Sequence, residues 1–108
     1  MSETNARVVL CTVPNTEVGG QLARGLVEAR LAACVNLIPG VRSFYHWEGA
    51  IHDDAEVQLV VKTRAALVGE VSAWLEEHHP YDTPEVLALP VSAGSAAYLR
   101  WIDASTEG

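Results

Sequence analysis

The residues of this chain best suited to chemistry are soft metal donors. They are Cys11, inside an apolar run, and the adjacent pair His78-His79, directly before Pro80. A thiolate and imidazoles at one site suit copper or zinc. Glu85 joins them if the fold brings the start of the last strand to the same end of the molecule. Two histidines in a last helical turn also complement the helix dipole and need no metal. Neighbours on a regular helix point about 100° apart, so both rings reach one ion only where the turn is unwound. A Cys-His nucleophile pair, Cys11 with His78 or His79, is a further reading, although a cysteine in a buried strand is usually inert.

A second set lies near residue 49. If Glu48-Gly49-Ala50 forms a three-residue loop, His46 and His52 stand nearly opposite, with Asp53 and Asp54 nearby, a cross-strand pair able to hold a metal. A solvated loop is the alternative. Tyr45, Trp47 and Trp101 can stack on a ligand or serve as subunit contacts. No Gly-rich phosphate loop and no Ser-His-Asp set occurs in the sequence, and no acid, base and nucleophile set is complete, so binding is expected rather than catalysis.

These residues are positioned by a long β-hairpin, expected over residues 33–63. β-Branched and aromatic residues fill both arms, Gly49 marks the turn and Pro39-Gly40 interrupts the first arm. An arm of about 14 residues is roughly 45 Å long at ~3.3 Å per residue. A domain of this length has a radius of gyration of about 13 Å. The hairpin must bend or protrude, and a lone two-stranded ribbon is marginal in water.

Arg7 to Val13 reads as a buried strand ended by Pro14. Asn15 caps a helix carrying Val18, Leu22, Leu26 and Ala29, and Gly19, Gly20 and Gly25 within it suggest close packing of helix on sheet. After Thr63, a candidate N-cap, Leu67, Val71, Trp74 and Leu75 form the apolar face of a second helix that Pro80 stops. Glu85 to Val91 is a last strand whose Pro90 suits an edge. From Ser95 the chain is helical again, with Tyr98, Leu99, Trp101 and Ile102 as apolar contacts, and residues 104–108 are expected to fray. The order β-α-β-β-α-β with an extra C-terminal helix predicts an α+β, ferredoxin-like sandwich. Its first and third strands are central, and residues 1–108 form a single domain.

Composition narrows the function. Fourteen acidic against seven basic residues give a net charge of −7, which argues against nucleic acid or an anionic membrane as partner and favours a cation as ligand. A hydrophobic content of 49% predicts apolar surface buried against other subunits. The opening Met-Ser-Glu-Thr-Asn has no signal-like pattern, and Cys11 and Cys34 suit buried thiols in a reducing compartment, so a cytoplasmic location is expected.

Leu31-Ala32-Ala33-Cys34-Val35-Asn36-Leu37-Ile38-Pro39-Gly40 and Tyr45-His46-Trp47-Glu48-Gly49 closely resemble the CutA divalent-cation tolerance family. So do Val60-Val61-Lys62-Thr63, His78-His79-Pro80-Tyr81-Asp82-Thr83-Pro84-Glu85, Leu89-Pro90-Val91 and Tyr98-Leu99-Arg100-Trp101-Ile102, and the likeness runs from residue 7 to residue 105. The resemblance implies a cytoplasmic homotrimer, similar in architecture to the PII signalling proteins, that acts in tolerance of copper and other divalent metals. It also implies copper ligation by Cys11, His78 and His79, although many relatives lack one of the three. The alternative function is a trimeric sensor or scaffold whose subunit clefts bind a small molecule or a protein partner, with metal incidental.

Overall fold

Period-two alternation in the first strand decides which face of the sheet is covered. The structure, a computed structural model, describes residues 4–107. In β1 (Ala6–Val13) the side chains of Val9, Cys11 and Val13 are fully buried, whereas Val8, Leu10 and Thr12 on the opposite face are only half-buried. Helices α1 (Thr16–Glu28) and α2 (Val68–His78) cover the first face, where Leu22, Leu26, Val71 and Leu75 meet Val57, Leu59 and Val61 of β3 (Ala50–Arg64). β2 (Cys34–Trp47) and β4 (Leu87–Pro90) form the two edges of the antiparallel sheet, whose order is β2-β3-β1-β4. This is the expected ferredoxin-like α+β arrangement, with β1 and β3 central and Pro90 on an edge.

Helix α1 begins as its sequence dictates: the Asn15 side chain accepts from the Val18 amide at 2.8 Å. Its end is less orthodox. Leu31 N–H donates to Leu26 and Arg30 N–H to Val27, closing a Schellman motif with Arg30 at φ 59°, a position glycine usually takes. The three glycines inside α1 differ. A Cβ on Gly19 would meet Leu37 at 3.0 Å and one on Gly25 would meet Trp74 at 2.6 Å, while Gly20 faces open space. Close packing therefore accounts for two of them, one against the sheet and one against α2.

The hairpin is present with a different turn. Glu48 and Gly49 alone connect the arms, at φ 50° and 80°, the signature of a type I′ turn. Trp47 pairs with Ala50, His46 with Ile51 and Tyr45 with His52, so the expected His46–His52 pair is absent and the two rings lie on opposite faces. Between Ile38 and Val41 a bulge centred on Pro39-Gly40 sets two residues of β2 against one of β3. Beyond that bulge, residues 41–47 and 50–56 pair only with each other, because β1 reaches β3 no further than Val57. The distal hairpin is thus a bare ribbon, with Phe44, Trp47 and Ile51 exposed. The longest dimension of the subunit is 45 Å.

Thr63 is not a helix cap. It lies in β3, fully buried, and its hydroxyl donates to the Leu31 carbonyl at 2.7 Å, while a 3₁₀ turn (Ala65–Leu67) leads into α2. The C-terminal helix α3 (Ala96–Ser105) is capped by Ser95 and buries Ile102 against Ala6 and Ala33, with Tyr98 and Trp101 largely exposed. Fraying from residue 104 does not occur through residue 106: the Thr106 hydroxyl donates to the Ile102 carbonyl at 2.9 Å and accepts from Arg64 Nε at 2.9 Å. Gly108 lies outside the described residues.

The second sheet face is covered only in part, where Ile102 of α3 packs on Ala6. Register places Leu87, Leu10 and Val60 in one cross-strand row and Leu89, Val8 and Lys62 in the next, with Leu87 56% and Leu89 46% exposed.

Candidate functional site

The C-terminal end of β1, the end of α2 and the segment 79–86 meet at one end of the sheet. Strand β1 delivers Cys11 to the covered face, where burial and, secondarily, the charge of Glu85 push its thiol from 9.0 up to about 12. A sulfur ligates or attacks as the thiolate, so this environment holds Cys11 in its unreactive form. Its Sγ lies 3.8 Å from the Thr12 carbonyl oxygen.

Helix α2 ends between the two histidines. His78 is its last residue, and His79 turns to extended backbone at ψ 141°. The helix is therefore unwound at this step, as a shared ion would require, yet the rings part. His78 stacks on Trp74 with centroids 4.0 Å apart, and its Nδ1 donates to the Trp74 carbonyl at 2.8 Å, leaving Nε2 as its free nitrogen. The His79 ring is buried. Its Nδ1 accepts from the Tyr81 amide at 3.0 Å, which requires the proton on Nε2, and Nε2 donates to the Thr12 carbonyl at 2.8 Å. Both nitrogens are thereby engaged in the fold.

Cys11, His78 and His79 thus lie at one end of the domain without converging on a common point. Among the described residues no group of three or more His, Cys, Asp or Glu side chains is placed to hold a metal ion. Within the single chain Cys11 is buried and His79 is engaged through both nitrogens, while His78 keeps an outward lone pair. At the hairpin tip, His52 stacks on Tyr45 at 5.4 Å and Asp53 pairs with Arg42 at 2.6 Å, so these groups too serve one another.

What the fold does assemble is a cleft of about 550 Å³ along one face of the distal ribbon, from Glu56 at its root to Trp47 beside the turn. Glu85, expected to open the last strand, instead lies before β4 and lines this cleft with Thr12 and the turn Tyr81–Pro84. The ribbon supplies Tyr45, Trp47 and Glu56. Tyr81 Oη donates to Glu56 Oε2 at 2.7 Å, Tyr45 Oη donates to Asp54, and Gln58 Nε2 donates to Glu85 Oε1 at 3.4 Å. Burial first, then the hydrogen bond to Glu56, raises the Tyr81 phenol well above its usual range, and the bond to Asp54 raises that of Tyr45. Both phenols remain neutral donors. Of these residues the sequence singled out Tyr45, Trp47 and Glu85. Glu56 and Tyr81 are 25 positions apart, and only the packing of segment 79–86 beside β3 brings them together.

Comparison with known proteins places these features in context. A family model for the CutA1 divalent ion tolerance protein matches residues 7–105. The chain is 48% identical over 99 residues to the chloroplastic protein CutA of Arabidopsis thaliana, covering 92% of this chain and 54% of that protein. It is 48% identical over 101 residues to the divalent-cation tolerance protein CutA of Pectobacterium atrosepticum, covering 94% and 92% respectively. It therefore spans about half the length of the plant relative and nearly all of the bacterial one. The crystal structure of CutA from Xylella fastidiosa superposes with a TM-score of 0.94 at 38% identity, covering 96% of this chain and all of that one.

Proposed function

The chain belongs to the CutA1 divalent ion tolerance family, and from that membership we propose that it acts in tolerance of divalent ions as a non-catalytic homotrimer that binds copper. The observation that carries this reading is the unpartnered apolar surface: the sheet face of Val8, Leu10, Val60, Leu87 and Leu89, together with Phe44 and Ile51 on the ribbon face opposite Tyr45 and Trp47. A closed ring of three copies covers such a face and caps the exposed edges of β2 and β4. Copper is the ion that Cys11, His78 and His79 suit by donor type. With Cys11 and His79 engaged internally, His78 Nε2 is the point of contact that this geometry favours. Two unpaired thiols suit the cytoplasm as the place of action.

Calorimetric titration of the metal-free protein with Cu(II), and with Cu(I) under reducing conditions, tests the reading. Binding should weaken more than about tenfold in the combined Cys11→Ser, His78→Ala, His79→Ala variant, with His78→Ala alone carrying most of the loss. Unchanged affinity would turn the assignment to the second reading, a PII-like trimer that binds a small molecule or a protein partner at clefts between subunits. The cleft flanked by Tyr45, Trp47 and Tyr81 lies within one chain and favours the small-molecule part of that second reading independently of any metal.

A further inference from the structure

The cleft combines two kinds of surface that a divalent metal ion does not need together. Tyr45, Trp47 and Tyr81 supply aromatic rings, Glu56, Asp82 and Glu85 supply carboxylates, and none of the residues lining it is Lys or Arg. We propose that this cleft binds an organic cation: a small molecule carrying an alkylammonium or guanidinium group, whose charge Glu56 and Glu85 receive while its apolar chain lies against Tyr45, Trp47 and Tyr81. The proposal rests on the small-molecule part of the second reading above, not on its trimer, and gives the chemical class of the ligand.

Geometry and charge both point this way. A cleft of about 550 Å³ falls within the range of roughly 300–1,000 Å³ that small-molecule sites occupy. Glu56 is engaged through Oε2 by Tyr81 and Glu85 through Oε1 by Gln58, and an ionised carboxylate has about four acceptor positions, so both can take further N–H donors. Charge-assisted bonds of this kind are the strong ones. The phenols of Tyr45 and Tyr81 are pinned by Asp54 and Glu56, which holds their rings in place for an incoming chain. Aromatic faces attract cations, the weakly hydrated guanidinium of agmatine more readily than a primary ammonium.

A metal ion is a poorer fit. It demands several converging donors, and among the described residues no such set of three exists. An anion would meet three carboxylates with no compensating base. The net charge of −7 also draws cations toward the protein at a distance.

The test is calorimetric titration of the native oligomer with agmatine and with putrescine, alongside butyrate, 1-butanol and magnesium chloride as probes of the same size or charge. Agmatine and putrescine should bind at one site per chain, and the other three should not. Glu56→Gln and Trp47→Ala should each weaken agmatine about tenfold or more, with Glu85→Gln supplying the charge comparison if Glu56→Gln fails to fold by circular dichroism. Absence of binding by both amines, or agmatine affinity unchanged in the carboxamide and Trp47→Ala variants, overturns the proposal. Light scattering on the same samples separates the two claims. A monomer that binds agmatine supports the cleft and contradicts the trimer, whereas a trimer that binds neither amine overturns the cleft alone.

Discussion

His79 Nε2 donates to the Thr12 carbonyl at 2.8 Å, fastening the end of α2 to the end of β1 across 67 positions of sequence. With Nδ1 accepting from Tyr81, the ring acts as a strut that also fixes the turn bordering the cleft. His79→Ala leaves the Thr12 carbonyl and the Tyr81 amide without this partner and should cost about 1–3 kcal/mol of stability. His78→Ala loses an exposed stacking contact on Trp74 and should cost less, at most about 1.5 kcal/mol. Urea unfolding of the two variants checks the order. Equal losses, or a larger one for His78→Ala, would contradict the strut.

Cys11 should behave as a buried, protonated thiol. With its value pushed to about 12 from 9.0, the thiolate population near pH 8 falls about a thousandfold. Iodoacetamide at that pH should therefore leave Cys11 unlabelled in the native protein and modify it only after denaturation, as peptide mass mapping would show. The sign of the linkage follows. A folded value above the unfolded one gives stability that is fully present below about 9 and is lost as pH rises toward about 12. Cys11→Val should flatten the alkaline fall of the unfolding free energy. A native Cys11 that alkylates readily would refute the burial on which this rests.

Glycine substitutions in α1 should have opposite signs. Gly25→Ala sets a Cβ 2.6 Å from the Trp74 ring. Overpacking of about 1–3 kcal/mol should exceed the ~1 kcal/mol gained in helix propensity. Gly20→Ala meets nothing and should stabilise by about 0.5–1 kcal/mol. Thermal unfolding reads both, and a stabilised Gly25→Ala would show that Trp74 yields.

Much of this fold was legible because its signals are local. The Asn15 cap, the apolar runs of β1 and β3, and Pro90 on an edge each follow from short-range pattern. The hairpin was legible as a hairpin, but its turn was not. Type I′ geometry favours Asn-Gly, and Glu48 in a left-handed conformation gives no such signal, so sequence alone suggests a turn one residue longer and sets His46, rather than Tyr45, opposite His52. Arg30 hid the end of α1 for the same reason, holding a position that glycine would have marked. The candidate metal residues were legible by type alone. Whether Cys11, His78 and His79 converge depends on rotamers and hydrogen bonds that spacing does not encode, and the fold commits His79 to Thr12 and Tyr81. The cleft was least legible, since Glu56 and Tyr81 meet only through tertiary register. Val35 and Leu37 of the ribbon pack on the helix-covered core.

The exposed residues of β4 on the sheet face are where a trimer would close, and the molar mass in solution decides whether it does. Multi-angle light scattering at micromolar concentration should return three times the chain mass of 11.6 kDa. The variant Leu87→Asp with Leu89→Asp, which charges the exposed β4 edge without touching the helix-covered core, should return a smaller species. A folded, stable monomer of 11.6 kDa for the unmodified chain would contradict the account.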